Sequence, residues 1–128
     1  MLLIGTNNIG MERDKVTVRN TAGEALEGVV AVVKAVREKL PKTKILLLGI
    51  FPRNGKDDPR RAEIAQINSS LAKLDDGKNV FFLDIGPKLL EPDGTLSTEV
   101  MPDLLHPSEK GYEIWAEAIK EPLAQLLK

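Results

Sequence analysis

The chain has 128 residues, 42% hydrophobic and 29% charged, which is the composition of one globular domain with a real core. Eighteen Lys and Arg against 19 Asp and Glu leave a net charge of -1, with no basic face for sequence-independent nucleic-acid binding. Cysteine is absent, which excludes disulfides, thiolate metal sites and a cysteine nucleophile.

Short apolar runs alternate with helical patterns, which predicts β-α units around a parallel sheet. Leu2-Leu3-Ile4 is the first expected strand; being fully apolar it resembles a central strand, and it leads straight into Gly5-Thr6-Asn7-Asn8. Residues 9–20 read as a loop. Thr21 and Glu24 form a capping box for a helix with Leu26, Val29, Val30, Val33, Val36 and Leu40 on one face, stopped by Pro41. Residues 44–50 read as a strand covered on both faces. A second helix is expected from Pro59 through Ile64, Ile67, Leu71 and Leu74, ended by Asp75-Asp76-Gly77. Residues 80–85 are the third strand, and 86–107 a long turn-rich connection. The last helix, about 108–127, has Tyr112, Trp115, Ala116 and Ile119 inward, with a kink or restart at Pro122. No apolar run approaches a membrane span and residues 1–4 lack the features of a signal peptide, so a cytoplasmic location and no membrane partner are expected.

Three polar clusters follow strand ends, where sites gather in open α/β sheets. Gly5-Thr6-Asn7-Asn8 either presents amide donors to a developing oxyanion or is simply a turn. Asp103-Leu104-Leu105-His106-Pro107 holds the one histidine; an Asp three residues ahead can hold imidazole Nδ1 and make a general base, or serve as a local cap beside a surface histidine. A metal reading would need Asp84 or Asp93 as further ligands with nothing fixing their geometry, so no metal and no cofactor are expected. Phe51-Pro52-Arg53-Asn54 either walls a pocket or is a plain loop.

Taken together, Leu-Ile-Gly-Thr-Asn-Asn and Asp-Leu-Leu-His-Pro, about a hundred residues apart, resemble the third block (Gly-x-Asn-Asp) and fifth block (Asp-x-x-His) of the Ser-Gly-Asn-His, or GDSL-type, esterases. Leu-Leu-Gly-Ile-Phe-Pro-Arg, Phe-Leu-Asp-Ile, Asp-Gly-Thr-Leu-Ser and His-Pro-Ser-Glu-Lys-Gly-Tyr look similar to the branch containing intracellular platelet-activating-factor acetylhydrolase catalytic subunits. The resemblance implies a three-layer α/β/α flavodoxin-like parallel sheet, one domain over 1–128, truncated at its N-terminus to about three strands. It implies Asn7 in the oxyanion hole, His106 as base and Asp103 as its orienting acid, with Gly5, Thr6, Asn8, Phe51 and Arg53 as further pocket residues. Asn8 stands where many members have Asp. The family's Gly-Asp-Ser nucleophile block is absent from these residues, and Ser69, Ser70, Ser97 and Ser108 match no nucleophile elbow; Ser108 reads as a helix cap.

The expected activity is therefore weak or water-mediated hydrolysis of small acetyl-like esters. Two alternatives stand beside it: a non-catalytic assembly module whose first-strand edge pairs with a second copy into a homodimer, and a separate N-terminal half that brings the serine.

Overall fold

A computed structural model describes residues 1–10 and 19–128. The loop expected over 9–20 thus lies largely outside the described residues, although its ends meet where Arg19 N–H donates to the Gly10 carbonyl at 3.0 Å. Helix α1 spans Ala22–Lys39, strand β1 Ile45–Leu48, helix α2 Pro59–Leu71, strand β2 Val80–Leu83 and helix α3 Glu109–Leu126.

β1 and β2 are parallel, with Ile45 opposite Val80 and Leu48 opposite Leu83. The first expected strand is reduced to one parallel bridge, Leu2 to Leu47, held by Leu2 N–H to the Leu46 carbonyl (2.8 Å) and Leu48 N–H to the Leu2 carbonyl (2.9 Å). Pairing ends early because Gly5, at φ 116°, turns the chain away; a Cβ there would sit 2.7 Å from Ile50 Cδ1. The central position belongs to β1, not to residues 2–4, whose side chains are only half-buried.

β1 is buried at all four positions, as a continuous apolar run requires. Period-2 alternation sends Ile45 and Leu47 to one core with Ala25, Val29 and Val33 of α1 and Ile64, Ile67 and Leu71 of α2. Leu46 and Leu48 point to a second core with Phe51, Ile85, Leu89 and Met101, closed by Ile114, Trp115, Ile119 and Leu123 of α3. The result is an α/β/α sandwich.

Helix ends follow the sequence signals. Thr21 and Glu24 form the reciprocal capping box of α1, Asp58 caps α2 ahead of Pro59, and Ser108 accepts from Gly111 N–H to cap α3. Four details differ from expectation. Val30, Leu40, Tyr112 and Ala116 are exposed rather than inward, Ile9 is buried in the first core, α3 runs through Pro122 without a break, and β2 ends at Leu83. Pro122 is tolerated because only its own N–H is missing and the helix ends within two turns.

Beyond β1 the ladder is continued by a side chain. Buried Asn68 of α2 accepts from Ile50 N–H (2.8 Å) and donates to the Ile50 carbonyl (2.9 Å), pairing as a neighbouring strand would. Asn68→Leu leaves both backbone groups of fully buried Ile50 without partners, at about 1–3 kcal/mol each. Urea denaturation should record a loss of about 2–5 kcal/mol, and a loss under 1 kcal/mol would show that the pairing is dispensable.

Candidate active site

Three loops leave the same end of the sheet: residues 5–8 after the bridge, 51–55 after β1, and 101–107 before α3. Arginine side chains and one backbone bond tie them together. Arg53 Nη1 donates to the Thr6 carbonyl at 3.0 Å. Arg61, in the first turn of α2, donates to the carbonyls of Arg53 (2.9 Å), Asn54 (3.2 Å) and Gly94 (3.2 Å). Asn54 N–H donates to the Leu104 carbonyl at 2.9 Å. Asn54 (φ 60°) and Leu104 (φ 58°) are the two non-glycine residues in the left-handed region among the described residues, so the strained positions are joined to each other. Such conformations cost about 1–3 kcal/mol for a non-glycine residue and persist only where their surroundings over-determine them.

The Leu104 turn aims the following residues. Asp103 Oδ1 accepts from the N–H groups of Leu105 (3.0 Å) and His106 (2.7 Å), which folds the loop back on itself. Asp103 Oδ2 lies 2.6 Å from His106 Nδ1. The hydrogen bond from the His106 side chain, then that from its backbone N–H, lowers the Asp103 pKa to about 2, so the carboxylate stays ionised at neutral pH and can only accept. Neutral His106 consequently carries its proton on Nδ1 and leaves the Nε2 lone pair free to accept. Both side chains are largely exposed, 76% and 56%.

His106 lines a cavity of about 250 Å³ with Leu3, Ile4, Thr6, Phe51, Pro52, Arg53, Leu105, Pro107, Tyr112 and Trp115. Trp115 sets the aromatic wall: its ring meets Phe51 edge-on at 5.0 Å and stacks on exposed Tyr112 at 5.6 Å. Among the residues singled out from sequence, His106, Thr6, Phe51 and Arg53 converge here. Asn7 follows Thr6 directly but is exposed and does not line the cavity; its carbonyl accepts from Arg19. Asn8 is turned toward Asn20, to whose Oδ1 it donates, and Gly5 packs on Ile50 and Val29. Sequence reasoning missed Arg61 entirely, since nothing local marks an arginine whose partners are backbone carbonyls, and read Trp115 only as core.

Three enclosed donors lie at or beside the cavity. Arg53 Nε, Asn54 Nδ2 and Trp115 Nε1 are the buried side-chain polar atoms left without a hydrogen-bond partner among the described residues. Burial, and next Arg60, lower the pKa of Arg53, while Asp58, which opposes this, is already paired with Arg60 at 2.8 Å. No three acidic or imidazole side chains stand together as a metal cluster among the described residues, nor is any helix there long and apolar enough to cross a membrane.

A parallel sheet between helical layers, with an Asp-held His at the carboxyl ends of its strands, is the layout of the Ser-Gly-Asn-His hydrolase fold. The chain belongs to the GDSL-like lipase/acylhydrolase family, which matches residues 1–114. It is 34% identical over 126 residues to platelet-activating factor acetylhydrolase IB subunit alpha2 of Gallus gallus, covering 98% of this chain and 51% of that one. Subunit alpha1 of Homo sapiens is 34% identical over 125 residues, covering 97% and 50%. The chain thus spans about half the length of the curated relatives it matches. Among solved structures, a chain from Streptococcus pneumonia provisionally named a platelet activating factor superposes with TM-score 0.74 at 31% identity, over 95% of this chain and 57% of that one. A GDSL-like lipase from Bacteroides thetaiotaomicron shares the fold at TM-score 0.69 and 18% identity, over 98% and 62%.

The dyad geometry makes a direct prediction. In Asp103→Asn the amide no longer presents an anion to Nδ1, and the neutral imidazole should shift its proton toward Nε2. With one histidine in the chain, long-range ¹H–¹⁵N correlation reads the tautomer without assignment; an unchanged tautomer would show that the 2.6 Å contact does not orient the ring. The sign for pH follows from the depressed carboxyl: the Asp103 contribution is complete above its ordinary value of 3.8 and is lost as pH falls through about 2. Titration of Asp103 should therefore add nothing to the pH dependence of the ring signals above about pH 5.

Proposed function

We propose that this chain carries the proton-transfer half of a hydrolase for small acyl esters, with His106 as general base and Asp103 as the residue that orients it. The observation that carries this is the Nδ1-bound imidazole facing the same cavity as Thr6, at the carboxyl ends of the strands. A volume of about 250 Å³ walled by Leu3, Ile4, Phe51 and Trp115 suits an acetyl-sized acyl group rather than a long chain.

In the proposed reaction a hydroxyl attacks the acyl carbonyl while His106 Nε2 takes its proton; the tetrahedral oxyanion then collapses, and His106 returns the proton to the leaving alkoxide. Asn7 is the candidate oxyanion donor, assigned by family resemblance and by its place next to Thr6. The serines among these 128 residues do not suit the attacking role: Ser69 and Ser70 lie within α2, Ser97 accepts from Glu99 N–H in a turn, and Ser108 caps α3. The attacking hydroxyl is then water, giving slow hydrolysis, or a serine brought by residues outside this sequence. His106→Ala should lower p-nitrophenyl acetate turnover about 100-fold or more, the usual contribution of a positioned base. Undiminished turnover would remove His106 from the reaction.

A second reading, that the sheet is completed by another copy of the chain, is favoured by the contrast between its two edges. On the outer edge of β2, Val80 N–H donates to Asp76 Oδ1, the Val80 carbonyl accepts from Asp76 N–H, and Phe82 N–H donates to Asp75 Oδ2. On the other edge Leu2 bonds inward to β1, and Leu3 has no backbone partner among the described residues. An apolar, unpaired edge accepts a further strand. Light scattering should find a dimer, and Leu3→Pro, which deletes the outward N–H together with a side chain packed on the second core, should shift it to monomer, with Leu3→Ala, which keeps the N–H, remaining dimeric. A monomeric wild type would end this reading.

A further inference from the structure

We propose that the cavity beside His106 recognises an anionic oxygen group, a carboxylate or phosphate carried by the ester substrate, and that Arg53 is the residue that binds it. The class of molecule rests on the hydrolase reading; the anion site rests on the cavity itself.

Its polar composition is one-sided. The buried, unpartnered side-chain atoms among the described residues are Arg53 Nε, Asn54 Nδ2 and Trp115 Nε1. Two belong to residues that line this cavity and the third to the next residue along the loop. All three are donors, and no acceptor is left waiting. An enclosed donor without a partner is costly, and such atoms in a native fold mark a strained or binding site. Arg53 and Trp115 bring two of these donors to the cavity lining, and no side-chain acceptor there balances them.

Charge gives the same answer. No acidic side chain lines the cavity, and Arg53 has no carboxylate within ion-pair distance among the described residues. The acid nearest in effect, Asp58, is bound by Arg60 Nε and Nη2. Asp103 is engaged with imidazole Nδ1. Arg53 commits Nη1 to the Thr6 carbonyl, which fixes the guanidinium plane and leaves the other donors of its fork uncommitted. A guanidinium held in an apolar wall of Phe51, Pro52 and Trp115 has lost part of its hydration, and a forked oxyanion would restore it.

Trp115 is the one tryptophan in the chain and sits on the wall, so its fluorescence reports occupancy directly. The probes are inorganic phosphate, butyrate and the neutral isostere butyramide, titrated at ionic strength held constant with sodium chloride. Wild type should give a saturable change with phosphate, butyrate or both, and none with butyramide; which anion saturates first separates a phosphate-bearing from a carboxylate-bearing substrate. Arg53→Met should weaken the anion at least tenfold. Arg53→Gln keeps an amide donor for the Thr6 carbonyl without the charge, and should weaken it equally should the Met variant fail to fold. His106→Ala should bind the anion within threefold of wild type while losing hydrolysis. An equal response to butyramide, no saturable response to either anion, or wild-type affinity in whichever Arg53 variant is folded would overturn the anion site. Anion binding without hydrolysis in the wild type would overturn the hydrolase reading alone.

Discussion

The amide of Asn68 decides where the sheet stops. β1 is buried on both faces, so its backbone groups must find partners inside the protein until the chain reaches the surface. Asn68 supplies them at Ile50, one residue before Phe51 and three before Arg53. The loop that walls the cavity therefore begins from a fixed point. Gly49 leaves room for this pairing: a Cβ there would stand 3.1 Å from Asn68 Nδ2 and 3.2 Å from Asp84 Oδ1, and both would have to give way.

From that point the site is built by backbone acceptors meeting side-chain donors. Arg53 takes the Thr6 carbonyl and Arg61 takes three more, so the loops after separate strands share one hydrogen-bonded framework. Loops leave unpaired carbonyls at strand ends, and a guanidinium with five donors can satisfy several at once. The left-handed turns at Asn54 and Leu104 are strained, and their mutual hydrogen bond is what holds both in place.

The layering and the dyad were legible in sequence for local reasons. The apolar run Ile45–Leu48, the Thr21–Glu24 capping box and the Asp-x-x-His spacing each encode their own geometry within a few residues. What was not legible depends on partners far along the chain. Arg61 binds a carbonyl 33 residues away, and Asn68 sits in a helix where its sequence neighbours give no hint of a strand-like role. Tyr112 lay on the helical face predicted to be inward, but Trp115 fills the space against Phe51 and Tyr112 is left stacked outside.

The asymmetry of the two sheet margins has a consequence for colloidal behaviour. With β2 sealed by Asp75 and Asp76, strand addition can proceed in one direction only. Two molecules meeting through residues 1–4 would each present a sealed flank outward, so growth terminates at a closed pair instead of propagating into fibrils. On the proposed pairing, those two aspartates would act as end-stops.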